Sequence, residues 1–145
     1  MSTEIHRSAL MLYPADKMFS LVDDIEQYPR FMDGCVGAQV LRREGDVVEA
    51  TLQLSKAGIR QSFTTRNIRQ PPNKMRMELV EGPFDVFEGC WTFDVLRPDA
   101  CKVSLDLRFS MKQGIAARAM AKLFDQVANN LVDAICKRAR EVYND

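Results

Sequence analysis

From Cys35 to Met111 the chain alternates apolar and polar residues with a period of two. The clearest segment is the last. There Cys101, Val103, Leu105, Leu107, Phe109 and Met111 stand against Lys102, Ser104, Asp106, Arg108 and Ser110. Such alternation marks strands with one face buried. Six strands are predicted. "CVGAQVLRR" and "DVVEATLQLS" flank a turn at Glu44-Gly45-Asp46, and "IRQSFTTRNI" ends at the break Gln70-Pro71-Pro72-Asn73. "KMRMELV" follows, then a strand with Phe87, Trp91, Phe93 and Val95 as its apolar positions, then "CKVSLDLRFSM" after the turn Arg97-Pro98-Asp99-Ala100.

The period changes at both ends. Residues 4–12 read as a first strand with Ile5, Ala9 and Met11 on one face and Arg7 as a polar exception. Pro14-Ala15-Asp16 opens a helix carrying Met18, Phe19, Leu21, Val22 and Ile25, and "YPRF" (28–31) ends it or starts a second short one. From Ile115 to Tyr143, Met120, Leu123, Val127, Leu131 and Ile135 recur at helical spacing, with Phe124, Ala128, Val132 and Ala139 widening the stripe.

Short turns join the six strands, so they form an antiparallel meander with one apolar face. The only element long enough to cover that face is the last helix, which at about 27 residues would span roughly 40 Å. The expected fold is α+β: a curved antiparallel sheet wrapped around a long C-terminal helix, with an apolar cavity between them. Alternate turns of a meander share one end. The segments "FMDGC", "SKAGI", "EGPFD" and "KQGIA" are therefore expected together, as the mouth of that cavity, with Tyr28, Met32, Gly58, Gly82, Pro83, Phe84 and Gly114 around it. The expected cavity wall is Phe31, Phe63, Met77, Phe87, Trp91, Phe109, Met120, Phe124, Val127 and Leu131. The eight methionines suit a surface that adapts to a flexible ligand, and they are also ordinary core filler.

At 145 residues the chain is expected to be one domain, 1–145, with a core that needs no staples. No apolar run reaches the roughly 20 residues of a membrane span, and "MSTEIHRSALMLYP" lacks the order of a secretory signal. A cytoplasmic location is expected, with at most peripheral membrane contact. The four cysteines are scattered with no CxxC pair and read as free thiols. His6 is the one histidine, so a histidine-type metal site or a hydrolytic triad has almost nothing to work with, and His6 is expected on the polar face of the first strand. No glycine-rich phosphate loop occurs. Neither a catalytic set nor a metal site is predicted, and no cofactor is required. Twenty basic residues balance twenty acidic ones, so overall charge argues neither for nor against a nucleic-acid partner, and any RNA or ribosome contact needs a local patch; no DNA partner is expected.

Four blocks carry a resemblance: "RSALMLYPADKMFSLVDDIEQYPRF" (7–31), "SFTTRN" (62–67), "LVEGPFDVFEGCWTF" (79–93) and "LFDQVANNLVDAICKRAREVY" (123–143). In this order they resemble the coenzyme Q-binding and ribosome-association-toxin branch of the polyketide cyclase/START-like superfamily. The likeness covers almost the whole chain. It implies a helix-grip fold with a deep apolar cavity. One block departs: where the family commonly continues with a Leu-Pro-Trp-Cys-like stretch, this chain reads Met32-Asp33-Gly34-Cys35. The loop is accordingly expected to be more polar and more flexible.

The resemblance implies three readings. A non-enzymatic role is preferred, in which the cavity holds ubiquinone or another polyprenyl lipid, linked to respiration. The alternative is a ribosome association toxin that binds the large ribosomal subunit and blocks subunit joining. It needs a basic surface, for which Arg42, Arg43, Arg66 and Arg69 are the candidate contacts, with Lys56 and Arg60, and with Lys137, Arg138 and Arg140 on the last helix. The third is a cyclase/aromatase-like enzyme, which needs polar groups deep in the cavity; Arg60, Thr64, Arg66 and Tyr28 are the residues to consider.

Overall fold

The protein, here as a computed structural model, is described over residues 2–143. Strand β1 (Thr3–Met11) leads into helix α1 (Ala15–Asp23) and a 3₁₀ helix (Ile25–Arg30). Strands β2 (Cys35–Glu44), β3 (Val47–Lys56), β4 (Ile59–Gln70), β5 (Lys74–Glu81), β6 (Phe84–Arg97) and β7 (Ala100–Met111) follow, then helix α2 (Ala117–Val142). The strands form one antiparallel sheet in the order β1-β7-β6-β5-β4-β3-β2. The meander runs from β2 to β7, and β1 closes its far side beside β7. The segment Ala15–Arg30 carries the chain between the two edges.

Helix α1 starts where Pro14, which has no N–H to leave unpaired, offers its carbonyl to the amides of Lys17 and Met18. In α2 the stripe Leu123, Phe124, Val127, Ala128, Val132, Ile135, Cys136 and Ala139 is buried against the sheet's inner face. The helix packs on β1, β3, β4 and β7 and on α1. Arg7 is not an error in the β1 pattern. It reaches α2, where its Nε and Nη2 donate to Asn129 Oδ1 at 3.0 and 2.6 Å.

Bulges interrupt the register at Cys35/Gly37 and Val40/Arg42 on β2, at Thr64/Thr65 opposite β5, and at Phe84/Val86 and Val95/Arg97 on β6. Each leaves one residue without a cross-strand partner. Val36, Leu41, Val80 and Leu96 occupy such positions and are exposed. Val95, expected to face the core, is 59% exposed; it stands next to the Val95/Arg97 bulge.

Candidate functional site

An apolar cavity lies between the sheet and α2, with a volume of about 60 Å³. Helix α2 contributes Phe124, Val127, Ala128 and Leu131, one face at i, i+3, i+4 and i+7. The sheet contributes inward positions of five strands: Ala50, Leu52 and Leu54; Phe63, Thr65 and Asn67; Met75 and Met77; Phe87 and Trp91; and Leu107. Ile25, Tyr28 and Met32 close the side. Among the described residues no cation or carboxylate lines it. A water needs roughly 10–15 Å³ of such space, so the cavity in this state has room for a few waters or one small group. It falls well short of the roughly 300 Å³ at which sites for drug-sized ligands begin.

The wedge expected between curved sheet and straight helix is filled at both ends by aromatic rings. At one end Phe124 has its ring centroid 4.6 Å from that of Phe109, 5.1 Å from Phe84, 5.7 Å from Phe63 and 5.9 Å from Phe87. At the other, Trp91 lies nearly parallel to Phe93, and Phe93 meets Phe19 edge-on.

Seven of the ten expected wall residues line the cavity: Phe63, Met77, Phe87, Trp91, Phe124, Val127 and Leu131. Three do not. Phe109 is buried inside the aromatic cluster. Met120 lies nearer the start of α2, where its carbonyl accepts from Gln61 Nε2 at 3.0 Å. Phe31 turns outward, between Tyr28 and the guanidinium of Arg138.

The four segments predicted at one end are brought together. Asp33 pairs with Lys56 Nζ at 2.7 Å, the Ser55 amide donates to the Gly34 carbonyl, and the Lys112 amide donates to the Pro83 carbonyl. They do not form an opening into the cavity. Phe84 is buried in the aromatic cluster, and a Cβ on Gly82 would stand 2.7 Å from Cβ of Phe63. Gly58 and Gly114 lie in exposed turns, and Pro83 is half-buried beside Phe84. Tyr28 and Met32 are buried in the cavity wall, not at a mouth. At the Asp33-Gly34 departure the contacts are thus an exposed ion pair and one backbone hydrogen bond. Lys56 also holds the Asp33 carboxyl below the usual carboxylate range.

The residues considered for catalysis are not assembled. Tyr28 donates its hydroxyl to the Val22 carbonyl, and burial, with the nearby Asp23 carboxylate second, pushes its pKa far above the ordinary tyrosine value. Thr64 shares a hydrogen bond with Thr51 at 2.7 Å on the outer face, and Arg60 and Arg66 are exposed. Among the described residues no group of three metal-ligating side chains occurs. His6 lies on the outer face of β1, 2.6 Å from Asp106, and that hydrogen bond raises its pKa.

The four arginines expected to form a basic patch are largely neutralised by carboxylates. Arg42 and Arg66 share Glu49 at 3.3 and 3.1 Å. Arg69 holds Asp23 through Nε and Nη2 at 2.7 and 3.0 Å, also pairs with Asp46, and lies over the ring of Phe19. Arg43 adds a longer contact to the same Asp23 at 3.9 Å. Arg69 is thereby a structural residue that ties β4 to α1.

A different surface gathers cations. A groove between the Pro29–Val36 segment and the last turns of α2 is lined by Arg30, Phe31, Lys137 and Arg138 and also by Asp33, which pairs with Lys56, and Glu141. Arg30, Lys137 and Arg138 form no ion pair among the described residues. Sequence reasoning names Lys137 and Arg138 among the possible ribosome contacts but does not place Arg30 or Phe31 beside them. It also misses Thr65 and Asn67 as cavity residues. The signal is there: the alternation that turns Phe63 inward turns Thr65 and Asn67 inward too.

With the geometry in place, comparison with known proteins assigns the family. Residues 11–136 match the model for polyketide cyclase / dehydrase and lipid transport. The chain belongs to that family. Among relatives of this polyketide cyclase-like chain, the ribosome association toxin RatA of Pseudomonas aeruginosa is 42% identical over 143 residues, covering 99% of each chain. The mitochondrial coenzyme Q-binding protein COQ10 homolog B of Xenopus laevis is 24% identical, over 97% of this chain and 59% of its own length. The aromatase/cyclase Zhui from Streptomyces sp. R1128 superposes with a TM-score of 0.85 at 15% identity, over 98% of this chain and 96% of that one. That likeness is one of fold. The family's START-like architecture agrees with the α+β arrangement read from alternation, and no helix among the described residues is long and apolar enough to cross a membrane.

Proposed function

We propose that this protein is a non-enzymatic, ribosome-associating member of the family, of the ribosome association toxin type. The observation that carries the reading is the 42% identity with a protein of that name across 99% of both chains. Within the structure, the groove of Arg30, Phe31, Lys137 and Arg138 supports it. Unpaired cations beside the half-buried Phe31 ring, with the Arg138 guanidinium over it, suit RNA, whose phosphates attract the cations and whose unstacked bases stack on aromatic or guanidinium planes. Arg42, Arg43, Arg66 and Arg69 serve less well, because a phosphate would have to displace their carboxylate partners. The catalytic reading draws no support from Tyr28, whose hydroxyl is engaged, or from Thr64, which faces outward.

The test is a sucrose-gradient profile of ribosomes with added protein. Wild type is expected to raise free subunits at the expense of joined ribosomes, and the triple reversal Arg30→Glu/Lys137→Glu/Arg138→Glu to abolish the effect while keeping its circular dichroism. Unchanged profiles with wild type at low salt would end this reading.

A second reading has its own observation. The cavity presents two buried polar side chains, Thr65 and Asn67, on an otherwise apolar wall. This supports binding of a neutral apolar molecule such as a ubiquinone-like lipid. The observed volume is smaller than such a head, so binding requires movement of the flexible walls, of which Met75 and Met77 are the adaptable parts.

A further inference from the structure

Of the "SFTTRN" block only Phe63 joins the aromatic packing, and the surface groove uses none of it. Its outward members are accounted for: Thr64 bonds Thr51, and Arg66 bonds Glu49. Its inward members after Phe63 are Thr65 and Asn67, 6% and 5% exposed, and both face the cavity. Thr65 Oγ1 donates to Asn67 Oδ1 at 2.9 Å. That bond occupies the amide oxygen and sets the plane of the side chain. The amide nitrogen, with two N–H groups, has no acceptor among the described residues. That nitrogen is not wholly enclosed, since Gln61 Oε1 is the one fully buried polar side-chain atom without a partner among the described residues; it borders the cavity space, where a bound group can accept from it.

We infer that Thr65 and Asn67 form a carbonyl-recognition site inside the cavity, which takes the head of a neutral, apolar molecule bearing a carbonyl-type acceptor. The inference rests on the second reading above and narrows its ligand class. An acceptor is required because the free valence is a donor pair. Neutrality is required because no cation lines the cavity to compensate a carboxylate or phosphate taken out of water. The apolar remainder is required by every other wall: Leu107, Val127 and Leu131 offer only dispersion contact, and Trp91 and Phe87 offer ring faces. Asn67 pairs across the sheet with Met77, and Met77 with Gly89. The methionine methyl sits close to where a Cβ on Gly89 would fall, 2.7 Å from it. The most movable wall of the cavity is thus next to the amide, where a ligand head would have to make room.

The experiment compares three probes by isothermal titration: decyl-1,4-benzoquinone, decylbenzene with a ring and tail of the same size but no carbonyl, and decanoate. Wild type is expected to bind the quinone about tenfold more tightly than decylbenzene, one good neutral hydrogen bond, and decanoate more weakly than either. The Asn67 side-chain ¹H–¹⁵N resonances should move with the quinone and hold still with decylbenzene. Asn67→Leu should bring the quinone-to-decylbenzene ratio below threefold. Thr65→Val, which keeps shape and removes the orienting donor, should shrink the ratio as well and serves if Asn67→Leu does not fold. Equal affinity for quinone and decylbenzene would overturn the carbonyl site, leaving the amide to a buried water, while the cavity reading stands. Absence of binding by both would overturn the cavity reading and the site together. Preference for decanoate would overturn the neutrality argument.

Discussion

Phe124 is the residue on which the helix–sheet junction turns, and its truncation gives the most direct measure of that junction. Its ring meets four others, Phe63, Phe84, Phe87 and Phe109, and one side of it borders the cavity. Phe124→Ala removes roughly 2–3 kcal/mol of transfer free energy. The void left is on the order of 100 Å³, which at about 24 cal/mol per Å³ adds about 2.4 kcal/mol if nothing relaxes. Rings held from four sides have little freedom to collapse, but Met77 and the adjoining cavity give some. The expected loss is therefore about 4 kcal/mol, inside the range of about 3–5 kcal/mol for such truncations. Phe124→Leu keeps most of the volume and gives up the edge-to-face geometry, for an expected cost of about 1–1.5 kcal/mol. Urea unfolding followed by far-ultraviolet circular dichroism measures both, with Trp91, the single tryptophan, as an independent probe. A loss below about 2 kcal/mol for Phe124→Ala, with an unchanged m-value, would mean the cluster is loosely packed and the wedge is not filled as described.

Other substitutions separate the parts. Arg69→Ala breaks a two-point ion pair with Asp23 and uncovers the Phe19 ring, and is expected to cost about 1.5–3 kcal/mol in urea unfolding, whereas the exposed Arg42→Ala should cost within about 0.5 kcal/mol. Gly82→Ala places a methyl 2.7 Å from the Cβ of Phe63, and a loss of about 1–3 kcal/mol is expected from the same measurement. Tyr28 titrates with the sign of a buried neutral acid: its folded pKa lies above the unfolded value of 10.0, so its contribution is complete below pH 10 and is lost as pH rises beyond it. Absorbance at 295 nm should therefore show Tyr28 ionising only with unfolding, and Tyr28→Phe should remove that late step.

Much of the fold is legible because alternation carries its own geometry. The β7 pattern alone assigns six buried positions, and all six are buried. The α2 stripe is legible for the same reason, since no other element could cover an apolar sheet face. Bulges are what alternation cannot supply. A bulge adds one residue without a sequence mark, so Val95, read as an inward position of β6, is exposed beside the Val95/Arg97 bulge. The mouth fails for a related reason. Parity gathers the turns at one end, but whether that end is open depends on how five phenylalanine rings interlock, and ring orientation is not written in spacing.

Charge is misread from sequence because a cation's neighbours along the chain are not its neighbours in space. Arg42-Arg43 looks like a basic pair, but β3 carries Glu49 alongside Arg42 and α1 brings Asp23 to Arg43. Arg30 and Arg138 are separated by most of the chain and look isolated, but the fold sets them on one groove with Phe31 between. The same argument explains a balanced total charge in a chain read as ribosome-associating. Twenty acidic residues need not oppose an RNA contact if they pair with arginines elsewhere, and Glu49 and Asp23 between them engage four. What a polyanion can bind is set by the cations that remain unpaired. The slope of log affinity against log salt, measured for wild type and for Arg30→Glu/Lys137→Glu/Arg138→Glu, counts them directly. Each phosphate that the variant no longer neutralises should flatten that slope by nearly one, so an identical slope in the two proteins would place the RNA contact on another face.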